Sequence, residues 1–583
     1  MMKVAPLRIR WLSYIFLFFW LLVIGRLFYL QVIRQDHYKS RAEKQYMTEI
    51  EIPPSRGTIY FTDRNGNVYP GAVNKSYFQL YVVPKDITDK EDAFKKLAEI
   101  IPGLNKDEVL QKMEKPDDPY ELLEKKVSKE DAEKIKALAI SGVGLKEEQY
   151  RDYPFGRFGS RLLGYVGPDP ELNRQKGFYG LEGYYEESLR GIEGYFKGEK
   201  DPGGIWISVS EKEKIEKKNG TNLYLTVDYH IQQKAEEILK EMMKRWEPES
   251  AAIVVEEPST GAIRAMAMLP DFDPNAYGDE KNFHVFQNEL AQDIFEPGSI
   301  MKPITASVAI NEGKVTENTT FEDKGILRIG GYKIENFKQK RYGVQTMTNV
   351  IEQSINTGAV FMQQQSGMEA FARYLEKFGF GAKTGIDAPG EVKGSIANLK
   401  NNREIEYATA SFGQGISATP IGMLQSLSAI ANKGNIMRPH LIARTVDADG
   451  VIAEIAPQIL APQVVSEETA LTVSRMMAST VKNTYLNAKM SVDGYTISAK
   501  TGTAQIPNPN GGGYLGPDQT IQSIVSFFPS YDPRYILFFK MDRPKGSDAA
   551  GNSLPTYVKN MIVFLIQYAQ IPPDRMPETI KTP

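Results

Sequence analysis

The sequence predicts an α/β chain in which an antiparallel sheet flanked by helices follows an elongated α+β region and one transmembrane helix. Three observations predict it. Residues 11–33, "WLSYIFLFFWLLVIGRLFYLQVI", are an apolar run long enough to span a bilayer. Residues 34–220 are polar, charged and spotted with aromatics, with mixed strand and helix signals. Beyond about residue 220, strand-like runs come first and last with helical segments between them, the order expected of a sheet packed by helices. The division read from these shifts is a cytoplasmic 1–10, a membrane helix 11–33, a noncatalytic 34–220, a main domain 221–572 and a tail 573–583.

Each element has a local reason. Lys3, Arg8 and Arg10 precede the apolar run and place the N-terminus inside. A cleaved signal wants a shorter core and small residues at the cut, yet Arg26, Leu27 and Phe28 stand there, so the run reads as an uncleaved anchor. Arg26 is a cost within the span unless its stem snorkels outward or a partner helix satisfies it. "PSRGTIYFTDRNGNVYP" reads as strand, Asn65-Gly66 turn, strand. "DKEDAFKKLAEIIPGLNKDEVLQKMEK" reads as two short helices separated by Pro102-Gly103. "SKEDAEKIKALAISG" carries a capping box from Ser128 to Asp131 and a stop at Gly142.

In the second half, "SAAIVVEEPSTGAIRAMAML" reads as a hairpin and "TPIGMLQSLSAIANKG" as a helix. That helix has Thr419 as N-cap, Pro420 in the first turn and Gly434 past the end. "YTISAKTGTAQ", "TIQSIVSFF" and "RYILFFKMD" supply three more strands, and "MIVFLIQYA" is too short to span a membrane and reads as a core helix.

Composition narrows the chemistry. Among 583 residues the net charge is -3, which gives no electrostatic case for nucleic acid. With no cysteine there is no disulfide, thiolate nucleophile or Cys-type metal site. His37, His230, His284 and His440 are scattered, so a serine enzyme here would take lysine as its base.

Ser-x-x-Lys occurs twice, Ser299 to Lys302 and Ser479 to Lys482, a count that chance supplies, so context decides. "EPGS" is a turn before an apolar run, and Pro303 is tolerable only if a helix starts at or near Ser299. Ser299 then sits at a helix N-terminus with Lys302 one turn on. Ser479 sits inside the amphipathic "EETALTVSRMMASTVKNTYL". Ser-x-Asn occurs once, as Ser354-Ile355-Asn356. Lys-Thr-Gly occurs twice, at Lys383-Thr384-Gly385 in a glycine-rich loop and at Lys500-Thr501-Gly502 at the end of an alternating strand. The strand copy reads as functional, with Gly502 admitting a substrate backbone.

Ser-x-x-Lys, Ser-x-Asn and Lys-Thr-Gly in this order are the set known from class A β-lactamases and penicillin-binding proteins. With "RGTIYFTDRNGNV", "RLLGYVG", "GFYGLEGYYEESLRGIEG", "LTVDYHIQQKAEE", "FGFGAKTGIDAPGE" and "SFGQGISATPIGMLQSLSAIANKG", the chain resembles class B penicillin-binding proteins, the monofunctional peptidoglycan D,D-transpeptidases. "KKVSKEDAEKIKAL" and "GVGLKEEQYRDYPFG" look closer to the cell-division (septal) type.

The resemblance implies a penicillin-binding, β-lactamase-like fold behind a pedestal of the dimerisation type. It assigns Ser299 as acylating nucleophile and Lys302 as its base, with Ser354 relaying the proton and Asn356 positioning Lys302 and the substrate amide. Lys500 lowers the base's pKa and, with Thr501, Gly502 and Thr503, holds the substrate. The backbone N–H groups of Ser299 and Thr503 form the implied oxyanion hole. It implies no metal or cofactor. Implied partners are peptidoglycan stem peptides, β-lactams bound covalently at Ser299, and a SEDS-type glycosyltransferase with other cell-wall proteins. The rival readings are a D,D-carboxypeptidase or β-lactamase-like hydrolase and a noncatalytic division scaffold. Two features depart from the family: Ser553-Leu554-Pro555 stands where an Ala-Ala-Pro-like segment is common, and "PNPNGGGYLGP" reads as a surface loop, with a gate over the site as the alternative.

Overall fold

The computed structural model describes residues 5–38, 47–115, 118–171, 174–199, 213–508, 511–516 and 519–575. Lys3 and the tail from 576 onward lie outside them. The described chain forms two units, residues 1–55 with 191–220, and residues 56–190 with 221–583.

In the first unit the helix Ala5–Phe28 passes into a π-turn at Tyr29–Ile33. Ile9–Ile33 is long and apolar enough to cross a membrane. The Arg26 guanidinium lies 5.5 Å from the Tyr29 ring centroid, so the charge inside the span rests on an aromatic face. Met47–Ile52 and Gly194–Glu199 pair antiparallel, with Glu213–Ile215 added beyond.

In the second unit the strand Ile59–Thr62 turns through Gly66 (φ +82°) into a 15-residue strand, Val68–Val82. The same short strand pairs in parallel with Asn222–Asp228. The two short helices are Lys90–Ile100 and Lys106–Met113, capped by Asp89 and Asn105. Ser128 caps the next helix through Asp131 N–H, but that helix ends at Ala137 and the chain turns through Ala139 at φ +47°. Gly142 is therefore not the stop. Its own left-handed turn leads into Val143–Asp152, and a side chain there would meet Val83 O.

The sheet that positions the site has five antiparallel strands: β1 (Ser250–Glu257), β2 (Ala262–Leu269), β3 (Ser498–Gln505), β4 (Thr520–Phe528) and β5 (Tyr535–Asp542), in the order β2-β1-β5-β4-β3. The helices that matter for the site are α1 (Tyr229–Trp246), α2 (Lys302–Asn311), α3 (Met347–Glu352), α4 (Asn356–Ser366), α5 (Pro420–Ala431), α6 (Glu467–Asn483) and α7 (Pro555–Ala569). Strand alternation splits the core. Ala251, Ile253, Val255, Leu537 and Phe539 pack with Ile238 and Leu239 of α1 and Met561 and Leu565 of α7. Ala252, Val254, Ile536 and Phe538 pack with Ile304 of α2, Val360 of α4, Leu424 of α5 and Val473 of α6. Both faces are covered, which is why β1 reads as one apolar run rather than an alternating one. The chain "MIVFLIQYA" is a core helix, as its length predicts. Thr419 caps α5 through Gly422 N–H, and Gly434 (φ +88°) lies past its end.

Candidate active site

Ser299 lies in a single 3₁₀ turn, Gly298–Met301, that runs directly into α2. Pro303 falls in the first turn of α2, where its missing N–H leaves no hydrogen bond unmade. The turn is pressed against a neighbouring loop. Gly298 (φ +58°) donates its N–H to Gly413 O at 3.0 Å, and a Cβ at Gly413 would stand 2.2 Å from Gly298 O. Only glycine at 413 lets the two backbones meet.

Lys302 is fully buried. Its Nζ has four oxygens around it: Ser299 Oγ at 3.1 Å, Ser354 Oγ at 3.1 Å, Ser354 O at 2.6 Å and Asn356 Oδ1 at 2.8 Å. Burial, and then the charge of Lys500, hold its pKa well below the usual lysine range. A neutral amine has two N–H donors and one lone pair. The two carbonyl oxygens accept the donors, so the lone pair is left for a serine hydroxyl. Ser354 sits in the loop between α3 and α4 at φ +56°, a left-handed conformation that turns both its hydroxyl and its carbonyl towards Lys302.

Strand β3 forms the opposite wall as the edge of the sheet. Lys500 Nζ donates to Ser354 Oγ at 2.9 Å and to Thr501 O at 3.0 Å, and burial pushes its pKa down to about 7. Two details differ from the sequence reading. Lys500-Thr501-Gly502 lies inside the strand rather than at its end, because pairing with β4 continues to Gln505↔Thr520. Gly502 also faces inward: a Cβ there would lie 2.7 Å from Ser523 Oγ, 3.0 Å from Ile300 Cγ2 and 3.1 Å from Pro297 O. Its immediate service is to let the strand approach the Ser299 turn. Thr503 O and Ala504 lie beside Gly298, which brings the Ser299 and Thr503 backbones to one locus. Thr503 Oγ1 accepts from Ala550 N–H at 3.1 Å, and Thr501 engages the Tyr485 hydroxyl.

Ser299, Lys302, Ser354, Asn356 and Lys500 thus meet in one place, with Thr501, Gly502 and Thr503 alongside. The competing copies lie elsewhere. Ser479 is in the interior of α6 and donates a short hydrogen bond to Glu352. Lys383-Thr384-Gly385 is a loop in which Thr384 and Gly385 N–H groups bond Glu391, and Lys383 is exposed. Several residues at the site carry no motif. Glu296 accepts from Gly415 N–H at 3.1 Å and from the Tyr514 hydroxyl at 3.0 Å, which ties the 511–516 part of the glycine-rich loop to the Ser299 turn. Burial pushes the Glu296 carboxyl up. Position in "EPGS" marks Glu296, Gly413 lies in "SFGQGISATP" and Tyr514 in the glycine-rich loop, while Tyr485 has no such signal.

The model of the penicillin-binding protein transpeptidase domain matches residues 251–562, and that of the penicillin-binding protein dimerisation domain matches 51–225. The chain is 33% identical over 540 residues to stage V sporulation protein D of Bacillus subtilis, covering 92% of this chain and 81% of that one. It is 27% identical over 561 residues to the peptidoglycan D,D-transpeptidase FtsI of Escherichia coli, covering 95% and 90%. The crystal structure of penicillin-binding protein 2X from Streptococcus thermophilus superposes with a TM-score of 0.75 at 25% identity, over 89% of this chain and 80% of that one. The chain belongs to the penicillin-binding proteins, in the class B arrangement of a dimerisation domain ahead of a transpeptidase domain.

Proposed function

We propose that this chain is a peptidoglycan D,D-transpeptidase that cross-links stem peptides through an acyl-enzyme on Ser299, in septal cell-wall synthesis. The observation that carries the reading is Lys302 Nζ, buried, held on two carbonyl oxygens and within 3.1 Å of both Ser299 Oγ and Ser354 Oγ. Ser299 Oγ attacks the carbonyl of the penultimate D-Ala, and its proton passes to Lys302. The developing oxyanion is held by the Ser299 and Thr503 N–H groups. The C–N bond breaks, the proton returns through Ser354 to the amine, and D-Ala leaves. An amine of a neighbouring stem then attacks the ester and frees Ser299. Lys500, Thr501 and Thr503 hold the terminal carboxylate, and Gly502 admits the substrate backbone beside them. β-Lactams acylate the same Ser299.

Membrane anchorage follows from the apolar Ile9–Ile33 helix together with the family. In our reading the helix crosses the plasma membrane once, with the N-terminus cytoplasmic, the noncatalytic 34–220 and the catalytic 221–572 outside, and 573–583 a tail. The helix and 34–220 contact a SEDS-type glycosyltransferase that supplies fresh glycan. Incubating the full-length protein with fluorescent penicillin and mapping the labelled peptide tests the nucleophile; label on any peptide but that of Ser299 refutes it. Donor and acceptor stem peptides together should give a cross-linked dimer beside free D-Ala. Hydrolysis alone would make the chain a carboxypeptidase. Replacing 11–33 with an unrelated membrane helix should keep labelling and weaken co-purification with the polymerase.

A further inference from the structure

Helix α4 begins at Asn356, and its N-cap residue, Ile355, has no side chain able to cap it. The cap comes from 20 residues upstream. Asn336 Oδ1 accepts from Asn356 N–H at 2.9 Å and Thr357 N–H at 3.2 Å. The orientation of the Asn336 amide is itself fixed, because its Nδ2 donates to both carboxylate oxygens of Asp323, at 3.1 and 2.9 Å, and to Lys340 O. Asp323 also accepts from Gly325 N–H, Tyr342 N–H and the Thr357 hydroxyl, the last at 2.6 Å. Asp323 and Asn336 are each only 3% exposed.

The residue next to Asn336 completes the arrangement. Glu335 O accepts from Asn356 Nδ2 at 2.8 Å. Adjacent residues 335 and 336 therefore hold Asn356 by both its backbone N–H and its side-chain NH₂. With the NH₂ committed to Glu335 O, Oδ1 faces Lys302 Nζ. Were the amide reversed, an N–H donor would face Lys302 and capture the lone pair that a base needs for the serine hydroxyl.

We propose that Asp323 and Asn336 are positioning residues that lock the Asn356 amide with its oxygen on Lys302, and so aim the Lys302 lone pair at the site serines. The inference rests on the reading of Ser299 and Lys302 given above. Neither residue touches substrate; both act through Asn356.

The test is the concentration dependence of acylation of the full-length protein by fluorescent penicillin, followed by stopped flow. Burst amplitude gives the active fraction, so the limiting rate is expressed per active molecule. Asn336→Ala and the isosteric Asp323→Asn should each lower that limiting rate by about tenfold or more, with the half-saturating concentration unchanged. Thr357→Val, which removes one hydroxyl bond to Asp323, should lower it by about two- to fivefold. A purely structural role would reduce burst amplitude or melting temperature and leave the rate per active molecule within about twofold of wild type, and that result overturns the proposal. If Asn336→Ala and Asp323→Asn do not fold, Thr357→Val decides, an unchanged rate being the refutation. Wild-type label that maps away from Ser299 would sink the underlying reading instead, before any variant is made.

Discussion

Replacing Lys500 with methionine removes the charge that Lys500 carries beneath Ser354 below about pH 7 and leaves the volume nearly unchanged. Both lysine nitrogens touch Ser354 Oγ, Lys302 at 3.1 Å and Lys500 at 2.9 Å, so they stand no more than about 6 Å apart. At that separation and an effective dielectric constant of about 20, two unit charges repel by about 3 kcal/mol, which is about two pKa units. The neighbouring charge favours neutral Lys302, so its loss lets Lys302 hold a proton to higher pH. The acidic limb of the acylation profile, which reports the base losing its proton, should move up by about one to two pH units in Lys500→Met. Loss of the carboxylate anchor should also raise the half-saturating penicillin concentration. Acylation rates of the full-length protein from about pH 5 to 10 measure both. Lys383→Met should change neither, since Lys383 is exposed in a loop. If the limb stays in place while only the half-saturating concentration rises, Lys500 binds substrate without tuning Lys302. If Lys383→Met does equal damage, the choice between the two Lys-Thr-Gly copies is wrong.

The same residue makes stability depend on pH. Burial holds folded Lys500 at about 7 against an ordinary 10.5, so between these values the unfolded chain binds more protons. Stability should rise with pH across that window, by up to about 1.4 kcal/mol per unit, and fall as pH drops towards 7; Lys500→Met should flatten the slope seen in thermal or urea unfolding. Ser299→Ala should abolish penicillin labelling and Ser479→Ala should preserve it, read by gel fluorescence; label surviving the first change excludes Ser299 as nucleophile. Gly502→Ala places a methyl 3.1 Å from Pro297 O and should slow acylation more than about tenfold for about 1–3 kcal/mol of stability, whereas wild-type kinetics would show that the strand does not need that approach. A reporter fused after Pro583 should be active only outside the cytoplasm, and N-terminal sequencing of the mature protein should still find 11–33.

Much of this was legible because the signals are local. Thr419-Pro420 caps a helix wherever it lies, and the Asn65-Gly66 turn needs no partner. The helix start beside Ser299 was legible for the same reason: the Pro303 constraint forces one there but not at Ser479. Failures came where tertiary partners decide. Gly142 resembles a helix stop, yet Ala139 takes the left-handed turn first. At Gly502 the sequence does not announce the second neighbour, the protein's own Pro297–Ile300 turn. Asp323 and Asn336 are ordinary polar residues of a hairpin region until the fold brings them to Asn356. The parallel pairing of Ile59–Thr62 with Asn222–Asp228 joins segments far apart in the chain, which no period can announce.

The strand order has a consequence for when such a site can exist during synthesis. β1, near residue 250, finds its inner neighbour in β5, which ends at Asp542, and β3 joins the sheet through β4, which pairs with β5. The sheet that holds Lys500 beside Ser354 is therefore complete only when nearly the whole chain has emerged. A chain threaded across a membrane from its N-terminus would expose Ser299 long before its wall arrives. With Lys302 acting as base, as proposed, a chain that lacks this wall should leave Lys302 in water and the serine unreactive towards stem peptides and antibiotics alike. Reactivity switches on with closure of the sheet, a long-range and hence slow pairing, and a truncation anywhere before β5 should yield a chain that neither cross-links nor captures penicillin.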